Sequence, residues 1–274
     1  MQEIKKINSK PFLRWAGGKR WLLKNINNYL PENSFEQYHE PFIGGGSMLF
    51  HLHPKKAFIS DLNHELIETY MSIKEEVTEV IKYLKQFKNT KEEYYKIRDQ
   101  NFRSSSKRAA RFIYLNQTSF NGIYRVNKSG KYNVPYGYRE NIKLNYENII
   151  NVHESLKNVQ ISTNDFYNVV KNVKKNDLVF LDPPYTVTHN NNGFVQYNKN
   201  IFCIEQQYRL AKLINELKEI GAYYILTNAA HPTIREIFNN GDKVFELERS
   251  SLIGGKNAKR GKYAELIITN GVNR

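Results

Sequence analysis

The chain predicts an α/β fold: a largely parallel sheet with crossover helices, interrupted by a mainly helical insertion. Three observations lead there. Strand-like segments recur at residues 37–43, 56–60, 159–162, 177–181, 223–227, 244–247 and 264–269, with helix-like segments between most of them, and that alternation is the signature of crossover connections. The stretch Leu178-Val179-Phe180-Leu181 is continuously apolar and bounded by Lys174-Lys175-Asn176-Asp177, which suits a strand buried on both faces. Residues 71–156 break the alternation and read as several helices, one over 106–115, followed by a turn-rich basic segment over 121–137. The expected organisation is a discontinuous domain of residues 1–70 and 157–274 around an inserted domain of residues 71–156.

Taken in order, the elements carry polar groups at their ends. Gly17-Gly18-Lys19 has the look of a phosphate loop, but that pattern needs Gly at 13 and Ser or Thr at 20, where Leu13 and Arg20 stand, which argues against a nucleoside triphosphatase. Strand 37–43 runs into Gly44-Gly45-Gly46-Ser47, where glycines let a backbone approach a ligand closely. A dinucleotide fingerprint would want a glycine at 49 and Leu49 is there; Asp61, 17 residues beyond Gly44 and closing strand 56–60, suits the two hydroxyls of a ribose. Together they fit an adenosine cofactor without a pyrophosphate. Asp165 follows strand 159–162 in Asn164-Asp165-Phe166, where it reads as the N-cap of the next helix. Residues 204–220 are amphipathic, with Tyr208, Ala211, Leu213, Ile214, Leu217 and Ile220 on one side and Gly221 as a stop.

Strand 177–181 ends in Asp182-Pro183-Pro184-Tyr185, at the strand end where open α/β sheets bind ligands. The prolines remove two backbone donors, so this turn offers acceptors: the Asp182 carboxylate and the Pro183 carbonyl. A group needing two acceptors is an –NH2, and Tyr185 adds an aromatic face. Methyl transfer to an exocyclic amine is the chemistry that suits this set. A capped turn with Tyr185 as packing is the plain structural alternative.

Composition narrows the partners. Lys and Arg number 41 against 27 Asp and Glu, a net charge of +14, which fits a polyanion. The positives gather at Arg103, Lys107, Arg108 and Arg111, at Arg125, Lys128, Lys131, Arg139 and Lys143, and at Lys256, Lys259, Arg260 and Lys262. Aromatics interleave with the second group, favouring nucleic acid over membrane. A single cysteine, Cys203, excludes an intrachain disulfide, and a reducing cytoplasmic location is expected. His51 and His53 lack a third ligand, so no metal is expected, and no apolar run approaches a membrane span.

Four segments, Phe12-Leu13-Arg14-Trp15-Ala16-Gly17-Gly18-Lys19, Glu40 through Ser47, Ser60-Asp61-Leu62-Asn63 and Asp182-Pro183-Pro184-Tyr185, stand in the order found in Dam/DpnII-type (D12 class) adenine-specific DNA methyltransferases. The chain resembles that family over nearly its whole length. Phe120-Asn121-Gly122-Ile123-Tyr124-Arg125-Val126-Asn127 and Tyr132-Asn133-Val134-Pro135-Tyr136-Gly137 are similar to its target-recognition hairpin, and Phe194, Tyr197, Glu205-Gln206-Gln207 and the run from Arg249-Ser250 through Arg260 to Asn270 also match. The resemblance implies a Rossmann-like S-adenosylmethionine-dependent methyltransferase sheet with an inserted, mainly helical DNA-recognition domain carrying a β-hairpin. It implies S-adenosylmethionine held by Trp15, Lys19, Phe42, Gly44, Asp61, Asp165 and Asp182, and catalysis by Asp182, Pro183 and Tyr185 on a flipped-out adenine, most plausibly in GATC. It implies double-stranded DNA contacted by Arg14, Asn121, Arg125, Asn127, Lys128 and Tyr136, and a separate cognate restriction endonuclease as a further partner. The amine could instead belong to an RNA adenine or a protein glutamine, and a catalytically inactive DNA-binding regulator is the reading from another class. The polar run His189-Asn190-Asn191-Asn192-Gly193 reads as a lid or a linker.

Overall fold

The computed structural model describes residues 8–127, 129–139, 142–185, 202–250 and 262–272. All seven expected strands form: β1 (Tyr38–Glu40), β2 (Ala57–Asp61), β3 (Val159–Thr163), β4 (Leu178–Leu181), β5 (Tyr223–Ala229), β6 (Lys243–Ser250) and β7 (Lys262–Thr269). They make one seven-stranded sheet of order β3-β2-β1-β4-β5-β7-β6. The pairs β2–β3, β1–β4 and β4–β5 are parallel, and β7 runs antiparallel to both β5 and β6. The chain divides into two compact units.

The first unit comprises Met1–Leu23 and Ile43–Asn164. Its helices are α1 (Leu49–Leu52), α2 (His64–Leu84), α3 (Lys91–Asp99), α4 (Ser105–Thr118) and α5 (Tyr146–Leu156). Four of them begin at side chains that accept a backbone N–H of the first turn: Asn63 for α2, Thr90 for α3, Ser104 for α4 and Asn145 for α5. Each such cap is worth about 1 kcal/mol. α2 packs along α4, and it leaves helical geometry at Glu76, whose carboxylate accepts from the hydroxyls of Ser105 and Ser106. The expected helix 106–115 is α4, longer by a residue at its start and three at its end.

The second unit comprises Lys24–Phe42 and Asp165–Arg274. All four residues of β4 are buried, as a strand covered on both faces requires. Its core combines Val179 and Leu181 of β4 with Tyr224 and Leu226 of β5, Leu266 and Ile268 of β7, and Leu210, Leu213, Ile214 and Leu217 of α6 (Ile204–Ile220). Gly221 ends α6 with φ +81°, and the N–H groups of Gly221 and Ala222 satisfy the carbonyls of Lys218 and Leu217. A last short helix, α7, spans Pro232–Ile237. Before β4, the buried Asp177 accepts from the N–H groups of Gln37 and Lys174 and bonds His39 at 2.9 Å. That anchors the starts of β1 and β4, so the polar groups after Leu181 gather at the opposite end.

Candidate active site and nucleic-acid interface

In the first unit the glycine turn, Trp15 and Asp61 come together. The Ile43 N–H donates to Ser60 O at the end of β2, which places Gly44 beside Asp61. Gly44 has φ +45°, and a Cβ there would lie 2.7 Å from the Trp15 ring. Only glycine permits that approach. Asp61 Oδ2 accepts from Gly44 N at 3.2 Å and Oδ1 from Asn63 N at 3.0 Å. A carboxylate has about four acceptor positions, so hydroxyl groups can still be bound. Burial raises the Asp61 pKa above its ordinary value, against the N–H groups of Asn63, Gly44 and Leu62. Trp15 is half-buried and stacks on Tyr124 at 5.6 Å. Lys19 is buried, and its ammonium donates to Gly17 O at 3.0 Å.

In the second unit the expected catalytic residues follow β4. The parallel register pairs Leu181 with Leu226, which makes Asp182 and Thr227 the next rung. There the Thr227 hydroxyl donates to Asp182 Oδ1 at 2.7 Å. Pro183 is buried, while Asp182 and Tyr185 are half-buried. The Tyr185 hydroxyl donates to Glu265 Oε2 at 2.7 Å. Nearby, the Tyr38 hydroxyl donates to Glu40 Oε2 at 2.8 Å, both groups buried. The Tyr38 pKa is pushed well up by burial, then by Glu40, with Asp182 adding to it.

Phe42 stacks on Phe166 at 5.2 Å. Asp165 caps the turn that follows it: Oδ1 accepts from Tyr167 N at the start of the 3-10 turn Phe166–Lys171. It also pairs with Arg209, at 3.0 and 3.3 Å, whose guanidinium lies over the Phe166 ring. Sequence reasoning missed Thr227, Glu265 and Arg209. For the first two a signal existed: a Thr-Asn pair ending an apolar strand, and a carboxylate before Leu266-Ile267-Ile268.

The hairpin expected in the first unit forms. Ser119 pairs with Tyr136 and Val126 with Tyr132, both antiparallel. Asn127 shapes its tip, with Oδ1 accepting from Ser129 N and Lys131 N. Arg125 is exposed and aligned by Asn133, which accepts from Nε at 2.8 Å and from Nη2 at 3.2 Å. Asn121 is exposed with φ +56°. Arg14 is held through its backbone by Asn116 and lies across Gly122. Its Nη1 is buried without a partner among the described residues, and burial, Arg139 and Arg20 lower its pKa.

Tyr136 differs from a surface contact. Its ring is 6% exposed and its hydroxyl bonds Asn89, so it braces the hairpin from beneath. Arg108 and Arg111 are also engaged within the protein: Arg108, partly exposed, pairs with Glu68 at 2.5 and 2.8 Å, and the more buried Arg111 donates to the carbonyls of Ile97 and Arg98. Lys128, the run His189–Gly193, Phe194, Tyr197, Lys256, Lys259 and Arg260 lie outside the described residues. Among the described residues no cluster of three or more His, Cys, Asp or Glu could hold a metal ion, and no helix is long and apolar enough to cross a membrane.

A family model for D12 class N6 adenine-specific DNA methyltransferases matches residues 15–251. Over 276 residues the chain is 38% identical to the Type II methyltransferase M1.LlaDCHI of Lactococcus lactis subsp. cremoris, covering 97% of this chain and 96% of that relative. It is also 38% identical over 286 residues to the Type II methyltransferase M.MjaIII of Methanocaldococcus jannaschii, covering 95% and 99%. To the DNA adenine methylase of Escherichia coli (strain K12) it is 29% identical over 266 residues, covering 94% of each.

Proposed function

Because the chain belongs to the D12 class N6 adenine-specific DNA methyltransferases, we propose that it moves a methyl group from S-adenosylmethionine to N6 of an adenine flipped out of duplex DNA, within GATC. The observation that carries this is the Asp182-Pro183-Pro184-Tyr185 turn at the end of β4, its carboxylate accepting from the Thr227 hydroxyl. An adenine amine is a weak nucleophile because its lone pair is delocalised into the ring. Asp182 and the Pro183 carbonyl accept its two hydrogens, which favours the tetrahedral nitrogen of the transition state over the planar ground state. Once the nitrogen takes the methyl group, its surplus proton would pass along the hydrogen bond to the Asp182 carboxylate, and the sulfonium would supply the neutral leaving group. Flipping the base costs a few kcal/mol, and stacking on Tyr185 returns about 1–3 kcal/mol.

S-adenosylmethionine supplies an activated methyl group on a sulfonium. The residues fit it: the Trp15 ring packs against the Gly44 backbone as an aromatic face beside the glycine turn, and Asp61 retains acceptor capacity for ribose hydroxyls. Trp15, Lys19, Phe42, Gly44, Asp61 and Asp182 are proposed to hold the cofactor. Asp165, which caps the Phe166 turn, is proposed to lie near the cofactor adenine as well. Residues 71–156 are proposed as the recognition domain and residues 1–70 and 157–274 as the catalytic one. Asn133 occupies the Nε edge of Arg125, which orients the guanidinium for the two acceptors of guanine; Arg14, Asn121, Asn127 and Lys128 complete the contacts. The relatives named Type II methyltransferases suggest a separate cognate restriction endonuclease, and work on cellular DNA implies the cytoplasm.

Labelled methyl incorporation into DNA, RNA and protein offered in parallel tests the reading. DNA alone is expected to take label, with N6-methyladenine on digestion, and Asp182→Ala is expected to lose more than about a hundredfold in turnover. Label in RNA or protein but not DNA, or an active Asp182→Ala, would overturn it.

A further inference from the structure

Resting on the methyl-transfer reading, we infer that Thr227 and Glu265 are positioning residues: Thr227 sets the rotation of the Asp182 carboxylate, and Glu265 sets the tilt of the Tyr185 ring. The antiparallel register of β5 and β7 pairs Thr227 with Ile267 and Ala229 with Glu265. Directly paired residues share a face and strands alternate with a period of two. Thr227 and Glu265 therefore lie on one face of the same two-stranded ladder. Both are buried, at 0% and 2% exposure, beside Leu266, Ile267 and Ile268. Burying a hydroxyl and a carboxylate in an apolar ladder is costly unless each is hydrogen-bonded. In both cases a bond reaches the Asp182-Pro183-Pro184-Tyr185 turn, at 2.7 Å.

The need for such ties follows from the torsions concerned. Rotation of an aspartate carboxylate about χ2 is broad and shallow, so the strand end alone does not fix which way the oxygens face. A hydroxyl donor on the neighbouring strand does. Tyr185 is likewise fixed at its Cα by the turn, and the bond from its hydroxyl to Glu265 fixes the far end of the ring. Charge-assisted bonds of this kind are about twice as strong as neutral ones. With acceptor and stacking face both tied to β5 and β7, the amine would meet a preset geometry, and misplacement of either would slow transfer more than binding.

The test is single-turnover methyl transfer on duplex DNA, with KM for DNA and for S-adenosylmethionine measured alongside. Thr227→Val removes the hydroxyl at nearly constant shape and is expected to slow transfer about 10- to 100-fold with both KM values within about twofold, whereas Thr227→Ser restores the rate. For Glu265, the pair Tyr185→Phe and Glu265→Leu forms a double-mutant cycle, and the double variant is expected to lose no more than the worse single one. If Glu265→Leu does not fold, Glu265→Gln takes its place in the cycle. Thr227→Val at wild-type rate, Ser and Val losing equally, or losses that multiply across the cycle would overturn the positioning roles. Asp182→Ala run in parallel separates the two layers: if it is inactive while Thr227→Val is normal, only the positioning fails; if it is active, the methyl-transfer reading fails.

Discussion

Asp61 shows how two backbone donors orient a single carboxylate. Its oxygens already take the N–H groups of Gly44 and Asn63, which fixes its direction without exhausting its acceptors. Asp61→Ala is expected to weaken S-adenosylmethionine binding by about 10- to 150-fold, the worth of a buried bond to a charged group, and to leave DNA affinity unchanged. Calorimetry with each ligand reads both. A pH dependence belongs to the same residue. Burial raises the Asp61 pKa, so the carboxylate takes its proton at a higher pH than an ordinary aspartate. Wild-type cofactor affinity should fall as pH drops through that raised value, and the Ala variant should not follow it. Between the ordinary and the raised value the folded state binds the extra proton, so without cofactor this group makes folding less favourable as pH rises. Asp61 and Asp182 stand at the strand ends where the sequence places them, because there position along the chain already implies place in the fold.

Elements were legible in the sequence wherever periodicity and stops coincide. Residues 204–220 form α6 as expected because an apolar face ends at a glycine able to take a positive φ. The strands followed because apolar runs alternated with helices. Cross-strand partners were illegible: Thr227 meets Asp182 across 45 residues of sequence, and Tyr185 meets Glu265 across 80. Register, which no local pattern reveals, decides such pairs. The same holds for α2 and α4, joined by Glu68 and Arg108. Arg108 holds the Glu68 pKa below its ordinary value of 4.5. A carboxylate so depressed contributes stability that is complete above the unfolded value and is lost as pH falls through the folded one. Glu68→Gln should therefore lower the melting temperature at neutral pH and flatten its decline below about pH 4.5. A decline as steep as wild type in thermal melts would show that the pair does not couple to folding.

At the scale of the whole molecule, the net charge of +14 divides into charges that serve the fold and charges that serve a partner. The sequence could not separate them, because a basic cluster reads alike whether its side chains point in or out. Arg108 and Arg111 are tied to Glu68 and to backbone carbonyls, whereas Arg125 and Lys131 of the hairpin are exposed. Lys131→Ala should therefore reduce the log–log salt dependence of DNA binding by about 0.9 if it meets one phosphate. Arg108→Ala should lower the melting temperature and leave that slope unchanged. The central claim, that the Asp182 turn and the hairpin together methylate adenine in a chosen site, is tested most directly by strand-resolved mapping of methylated adenines on unmethylated genomic DNA incubated with the protein and S-adenosylmethionine. The account predicts N6-methyladenine on both strands at GATC and background elsewhere. Methylation spread over adenines regardless of neighbours, or confined to sites without GATC, would contradict it.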